Sequence, residues 1–246
     1  MGMEAPRISW TNRMALDDTL QTRILQLVDE HWSQHVRDQG FAELISGKEP
    51  GHRMADYVDD RTTSLLKVHL DTRYEGDGKG NVKKRSMGDV WVRSSGIFNP
   101  VNVKAGLQGM NGQPNLVSMQ KLLDYIFKRW IDSYYLLIIK FSIEGDLSHK
   151  AYLIDLLDWT QYITYDAGPG QIMLRERDFY EAFDSGHRPE SRSVLDKADS
   201  LFTMFESQLK SLLSNRQARL DRQRGMLEAF KAVEFRVDQS SMQFVP

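Results

Sequence analysis

An acid, an amide and an amine are spaced in this chain so that they meet at one edge of a hairpin. Asp89 lies near the head of the run Gly88-Asp89-Val90-Trp91-Val92-Arg93, and a second run, Asn99-Pro100-Val101-Asn102-Val103-Lys104-Ala105, follows a short Gly-containing turn. Side chains alternate across a strand, so Val101 and Val103 point into a core while Asn102 and Lys104 share the other face. A carboxylate suits a hard divalent cation, and a lysine ammonium is a compact charge that suits an anion.

These residues need a sheet to hold them and helices to cover it. Around Arg73 to Arg93 a hairpin is expected, because Glu75-Gly76-Asp77-Gly78-Lys79-Gly80-Asn81 is a dense turn signal. Ile97 to Ala105 reads as the next strand, with Pro100 near its beginning. Ahead of them, Leu16, Leu20, Ile24, Leu27, Val28, Trp32 and Val36 recur at three- and four-residue steps, which predicts a helix over 15–37. A second helix is expected over 53–70, with Asp56, Asp59 and Asp60 on or near a face apart from its apolar residues. Pro114 suits the first turn of a helix running to about Trp130. The apolar run from Tyr134 to Ile143 reads as a central strand covered on both faces, with Ala151 to Leu157 as its neighbour. A short strand at 171–175, a helix near 178–183 and a long helix over 194–233 complete the reading, and Asp184 to Ser193 is the best linker. The fold class is therefore α/β (α+β): a mixed sheet flanked by helices, with a long C-terminal helical segment. The expected division is a core over 1–185, including the N-terminal helix, and a helical region over 186–246.

Asp89 with Asn102-x-Lys104, and the order of elements from about Arg53 to Leu157, resemble the PD-(D/E)xK nuclease superfamily and its type II restriction endonucleases. The resemblance implies a restriction-endonuclease-like sheet and Mg²⁺-dependent hydrolysis of phosphodiesters in double-stranded DNA, with Mn²⁺ as a substitute ion. It makes Asp89 the principal metal ligand, Asn102 and the Val103 carbonyl further ligands, and Lys104 the group that steadies the attacking water or the phosphate. Asn102 departs from the family pattern, which has Asp or Glu there. Two unit charges about 4 Å apart attract by roughly 4 kcal/mol at an effective dielectric near 20, and an amide forfeits that attraction. In some members a helix supplies the displaced acid. Asp60 is the preferred analogue here, ahead of Asp56, with Asp124 on the following helix behind both.

DNA contacts are expected from Lys83, Lys84 and Arg85, just ahead of Asp89, and from Gln108, Asn111, Gln113 and Asn115, amides able to pair bidentately with adenine. The stretch Gln161 to Gln171, with Tyr162 and Tyr165, is a second candidate loop. Arg216, Arg219, Arg222 and Arg224 form a basic stretch of the last helix that suits phosphate, with a solvated helix face the preferred reading. His31 and His35, four apart on a helix, are read as a surface pair, since no HExxH pattern accompanies them.

The bulk numbers are compatible with these readings. Lys+Arg 32 against Asp+Glu 34 gives a formal net charge of -2, so any nucleic-acid surface must be local. The absence of cysteine removes disulfides, thiolate nucleophiles and Cys-ligated zinc, and fits a cytoplasmic home. No targeting segment and no membrane span are expected, since the longest apolar stretch is far too short to cross a bilayer. A homodimer built by the C-terminal helix would match palindromic DNA. The rival expectations are a catalytically inactive nuclease-fold module binding DNA or protein, and a helical interaction protein organised by the last helix.

Overall fold

Helical apolar spacing near the N-terminus is realised in α1 (Asp18–Gln39) and, after residues 40–49, in α2 (Pro50–His69). A computed structural model describes residues 15–39, 50–76, 79, 81, 83, 86–108, 115–142, 148–166 and 170–231. Asp17 caps α1: its Oδ1 accepts the Leu20 N–H at 2.9 Å, and its Oδ2 accepts the Ser94 hydroxyl at 3.0 Å. Strands β1 (Thr72–Arg73), β2 (Val90–Ser94) and β3 (Ile97–Leu107) then form an antiparallel meander. Ser95 and Gly96, with φ of 50° and 84°, join β2 to β3 in a two-residue loop whose positive φ values match the twist of a tight hairpin.

Next come β4 (Asn115–Ser118), α3 (Met119–Phe127), β5 (Tyr135–Ser142) and β6 (Ser148–Asp155). After two short 3₁₀ turns, β7 (Ile163–Asp166), β8 (Gln171–Leu174), α4 (Glu176–Asp184) and α5 (Val194–Lys231) follow. A five-stranded sheet runs β1-β2-β3-β5-β6, with β3 and β5 parallel and the other pairs antiparallel. A separate three-stranded antiparallel sheet runs β4-β8-β7. The fold is mixed α/β.

One face of the large sheet packs on α1 and α2 through Val90, Val92, Val101, Val103, Leu137 and Phe141 against Ile24, Val28, Trp32, Met54, Val58 and Leu66. Each such side chain contributes about 1.5–3 kcal/mol when fully buried. Trp32 also satisfies its indole N–H on Thr62 Oγ1 at 3.1 Å. The inward direction of Val101 and Val103 agrees with the alternation read from sequence.

Two local readings change. The helix expected from Pro114 begins only at Met119, because residues 115–118 pair with β8 and the Ser118 hydroxyl then accepts the Lys121 N–H as an N-cap. The stretch Gln161 to Gln171 holds β7 as well as a turn, since Ile163 and Tyr165 find partners on β8. Compactness divides the chain between Met204 and Phe205, inside α5. In the first unit, Val194, Lys197, Ala198 and Leu201 are buried. In the second, Leu213, Leu220, Met226 and Leu227 are exposed. No helix among the described residues is long and apolar enough to cross a membrane.

Candidate active site

The site begins where β2 stops. β2 pairs with β3 only as far as Val90 opposite Val101, while β3 runs on to Leu107 alongside β5. Asp89 continues the ladder in place of a strand. Its N–H donates to the Val101 carbonyl at 2.9 Å, and its Oδ2 accepts the Val103 N–H at 2.7 Å. The N–H and C=O of one strand residue point to the same side, so the Val103 carbonyl is turned toward the edge that Asp89 occupies.

This approach requires glycine at position 88. A Cβ there would lie 2.9 Å from both Val101 N and Val101 O, backbone atoms that cannot swing aside as a side chain would. Gly88→Ala is expected to lower the unfolding free energy by about 1–3 kcal/mol, the usual cost of an overpacked site, as read by urea denaturation. An unchanged midpoint would mean that β2 and β3 do not approach in this way.

A second carboxylate arrives from α2, and it belongs to Asp59. Its Oδ2 lies 3.7 Å from Lys104 Nζ, with both side chains about four-fifths buried. Burial pushes the Asp59 carboxyl up to about 7; the Lys104 charge opposes this, while Asp89 and then Asp56 and Asp60 add to it. Asp60, the expected acid, is exposed, as are Asp56 and Asp124. The reason is angular. Residues 54, 58, 62 and 66 form the buried stripe of α2, and at about 100° per residue Asp59 borders that stripe while Asp60 and Asp56 turn away from it. A helical wheel would have selected Asp59 from the sequence.

Asn102 is buried beneath this edge, 7% exposed, close to Tyr134 at the entry to β5. Burial first, and then the charge of Asp89, raise the Tyr134 phenol well above its ordinary range, and the nearby Asn102 amide opposes them. Asn102 Oδ1 and Asp59 Oδ1 are both buried oxygens without a hydrogen-bond partner.

Each unsatisfied buried acceptor costs about 1–3 kcal/mol, and a cation supplies what both lack. Asp89, Asp59, the Asn102 amide oxygen and the Val103 carbonyl make an all-oxygen donor set, which suits Mg²⁺ or Mn²⁺ and not a soft metal. The residues present fit such an ion. Among the described residues no group of three or more His, Cys, Asp or Glu side chains is placed to hold a metal, so the amide and the main chain must complete this one.

The expected DNA-contacting residues are dispersed. Lys83 is half-exposed and pairs with Glu75 at 2.7 Å. Gln108 is exposed just past the end of β3, where its N–H donates to the Phe141 carbonyl at 2.7 Å. Asn115 opens β4. Lys84, Arg85, Asn111 and Gln113 lie outside the described residues. Arg216, Arg219, Arg222 and Arg224 are exposed on α5 in the second unit. His31 and His35 are not the surface pair expected. His35 is buried, and both rings pack around Trp32 because this side of α1 faces Tyr57 of α2.

No family model matches the chain, and no curated protein does.

Proposed function

We propose that this chain is a Mg²⁺-dependent endonuclease of double-stranded DNA, of the type II restriction kind that its hairpin resembles. The observation that carries the reading is the gathering of Asp89, Asp59, Asn102 Oδ1 and Lys104 at the stretch of β3 that extends beyond β2. The strand order adds support: a meander of three strands, a helical crossover and a parallel fourth strand is the order implied by the resemblance.

In this reading Asp59 is the helix-borne acid that compensates for the amide at position 102. Asp89, Asp59, Asn102 and the Val103 carbonyl hold the ion, which when bound polarises the phosphate and makes an attacking water more acidic. Lys104 presents its ammonium to the phosphate or the water as a point charge. Its ion pair with Asp59 keeps that charge at the edge. Asp89 does two tasks, since one carboxylate oxygen is engaged by the Val103 N–H and thereby aims the other. A homodimer organised by α5 and a cytoplasmic location complete the proposal.

The test is cleavage of supercoiled plasmid or phage DNA with Mg²⁺ or Mn²⁺. Asp89→Ala and Lys104→Ala are each expected to lower the rate at least about 100-fold, the scale of losing a charge that acts on the transition state. Activity surviving either change removes this site. DNA binding without cleavage by the wild type would favour the inactive nuclease-fold module.

A further inference from the structure

A cleft of about 420 Å³ opens beside β1 and β2, lined by Arg73, Tyr74, Glu75, Trp91, Tyr125 and Trp130. Its volume is that of a site for a small organic ligand. Four of these six residues are aromatic, and they come from four separate places in the chain. Trp130 is 55% exposed at the rim, while Trp91 is 7% exposed and its indole N–H is buried without a hydrogen-bond partner. A buried donor left unpaired costs stability, so a ligand acceptor that meets it restores what is lost.

The charges around the cleft select the ligand. Glu75 contributes the negative charge, but it is already engaged: Lys83 lies 2.7 Å away, the Tyr125 hydroxyl donates at 2.5 Å and the Met87 N–H at 2.6 Å, with Lys121 at 3.6 Å. Burial alone would raise its carboxyl, but these donors outweigh burial and hold it below the usual range. The rings carry cations of their own. Lys67 sits 5.3 Å from the Tyr74 centroid, Lys121 5.4 Å from that of Tyr125 and Lys128 5.0 Å from that of Trp130. Arg73 completes a rim that is net positive, which disfavours a quaternary ammonium and favours an aromatic group carrying phosphate. Basic groups interleaved with stacking rings are the usual apparatus for an unpaired nucleotide.

Position ties the cleft to the candidate active site. Trp91 lies two residues beyond Asp89, at the second position of β2, so at about 3.3 Å per extended residue their backbones are about 7 Å apart. We propose that this cleft receives one unstacked nucleobase of the DNA strand held at the Asp89–Lys104 edge, stacked against Trp130 and hydrogen-bonded by the Trp91 indole. The identity of the ligand rests on the nuclease reading of that edge. The base must leave the duplex stack to enter, at a cost of a few kcal/mol that stacking on the protein offsets.

Fluorescence anisotropy tests the proposal with a short random-sequence single strand, an abasic strand of equal length and free deoxynucleoside monophosphates, all with Ca²⁺ in place of Mg²⁺. Trp130→Ala is expected to weaken binding of the intact strand about 5- to 150-fold, the worth of one stacked base, and Trp130→Phe to restore most of it. The abasic strand should bind both proteins alike. Tyr74→Ala provides a second variant should Trp130→Ala fail to fold. Intact-strand binding unchanged by Trp130→Ala overturns the proposal, as does an equal loss for the abasic strand. Free monophosphates binding as tightly as the strand overturn the strand as the source of the base. Asp89→Ala should keep the Trp130-dependent binding while losing plasmid cleavage, so a wild type that binds in this way but never cuts refutes the nuclease reading and leaves the cleft standing.

Discussion

Asp59→Asn is expected to make the metal-free protein more stable at pH 8 and at the same time to abolish cleavage. The carboxyl titrates near 7 in the folded chain, chiefly because it is buried, against an ordinary value of 3.8. Between those two values the folded state holds a proton that the unfolded state has lost. Stability therefore falls as pH rises from about 4 to about 7 and is level beyond. Forcing the buried group to ionise costs about 2–4 kcal/mol across that window, allowing for its partial exposure and for Lys104. Asparagine cannot ionise, so the variant should lose this slope and exceed the wild type in urea midpoint at pH 8, with the two converging near pH 4. Mg²⁺ should narrow the gap at pH 8 by stabilising the wild type alone, and should do little at pH 5, where a proton competes for the same oxygen. Equal pH profiles for the two proteins would show that Asp59 is an ordinary surface acid. In the proposed nuclease the carboxylate is kept, at a cost in the free protein, for the ion it holds.

The hairpin was legible because its signals are local. Ser95-Gly96 marks the turn, Val90 and Val92 alternate with Trp91, and Val101 and Val103 alternate with Asn102 and Lys104, so the register follows once the strands pair. The central strand was equally plain, since β5 is buried along nearly all its length and reads as a continuous apolar run. Asp59 shows itself only by angle on the helix: it borders the buried stripe of Met54, Val58, Thr62 and Leu66, whereas Asp60 turns away from it. β4 is four residues long, and its partner β8 lies more than fifty residues downstream, so no local pattern could separate it from the first turn of a helix. The aromatic cleft was hidden for a related reason. Tyr74, Trp91, Tyr125 and Trp130 share no periodic relation, and only the meander and α3 bring them together. Long-range assembly thus accounts for what the sequence withheld, while patterning within single elements accounts for what it disclosed.

The largest loss of stability is expected from Lys197→Met. Lys197 is 1% exposed at the start of α5, and its ammonium lies 2.6 Å from Asp155 Oδ2 and 3.2 Å from Asp158 Oδ2. Arg192 joins the group, donating its backbone N–H to Asp158 Oδ1 at 3.2 Å and its guanidinium to the Leu157 carbonyl and Thr160. Burial, and then the charge of Asp155, raise the Asp158 carboxyl, with Lys197 opposing them. Methionine fills a similar volume but leaves two neighbouring carboxylates without their buried cation, which costs about 3–5 kcal/mol. Urea denaturation at pH 7 should record that loss, and it should shrink on acidification as Asp158 takes up a proton. The triple change Lys197→Met, Asp155→Asn, Asp158→Asn should recover much of it, because the penalty lies in the unpaired charges and not in the pair's intrinsic strength. The effect should also reach the Asp89–Lys104 edge. Asp155 Oδ1 accepts the Tyr134 N–H at 3.1 Å, the Tyr134 carbonyl accepts the Leu156 N–H at 2.8 Å, and the Tyr134 phenol lies near Asn102. If cleavage occurs, Lys197→Met should therefore weaken Mg²⁺ activation even under conditions where the variant is fully folded. A variant as stable as the wild type at pH 7 would mean that the ammonium and the two carboxylates are not in contact, and that α5 is anchored by Val194 and Leu201 alone.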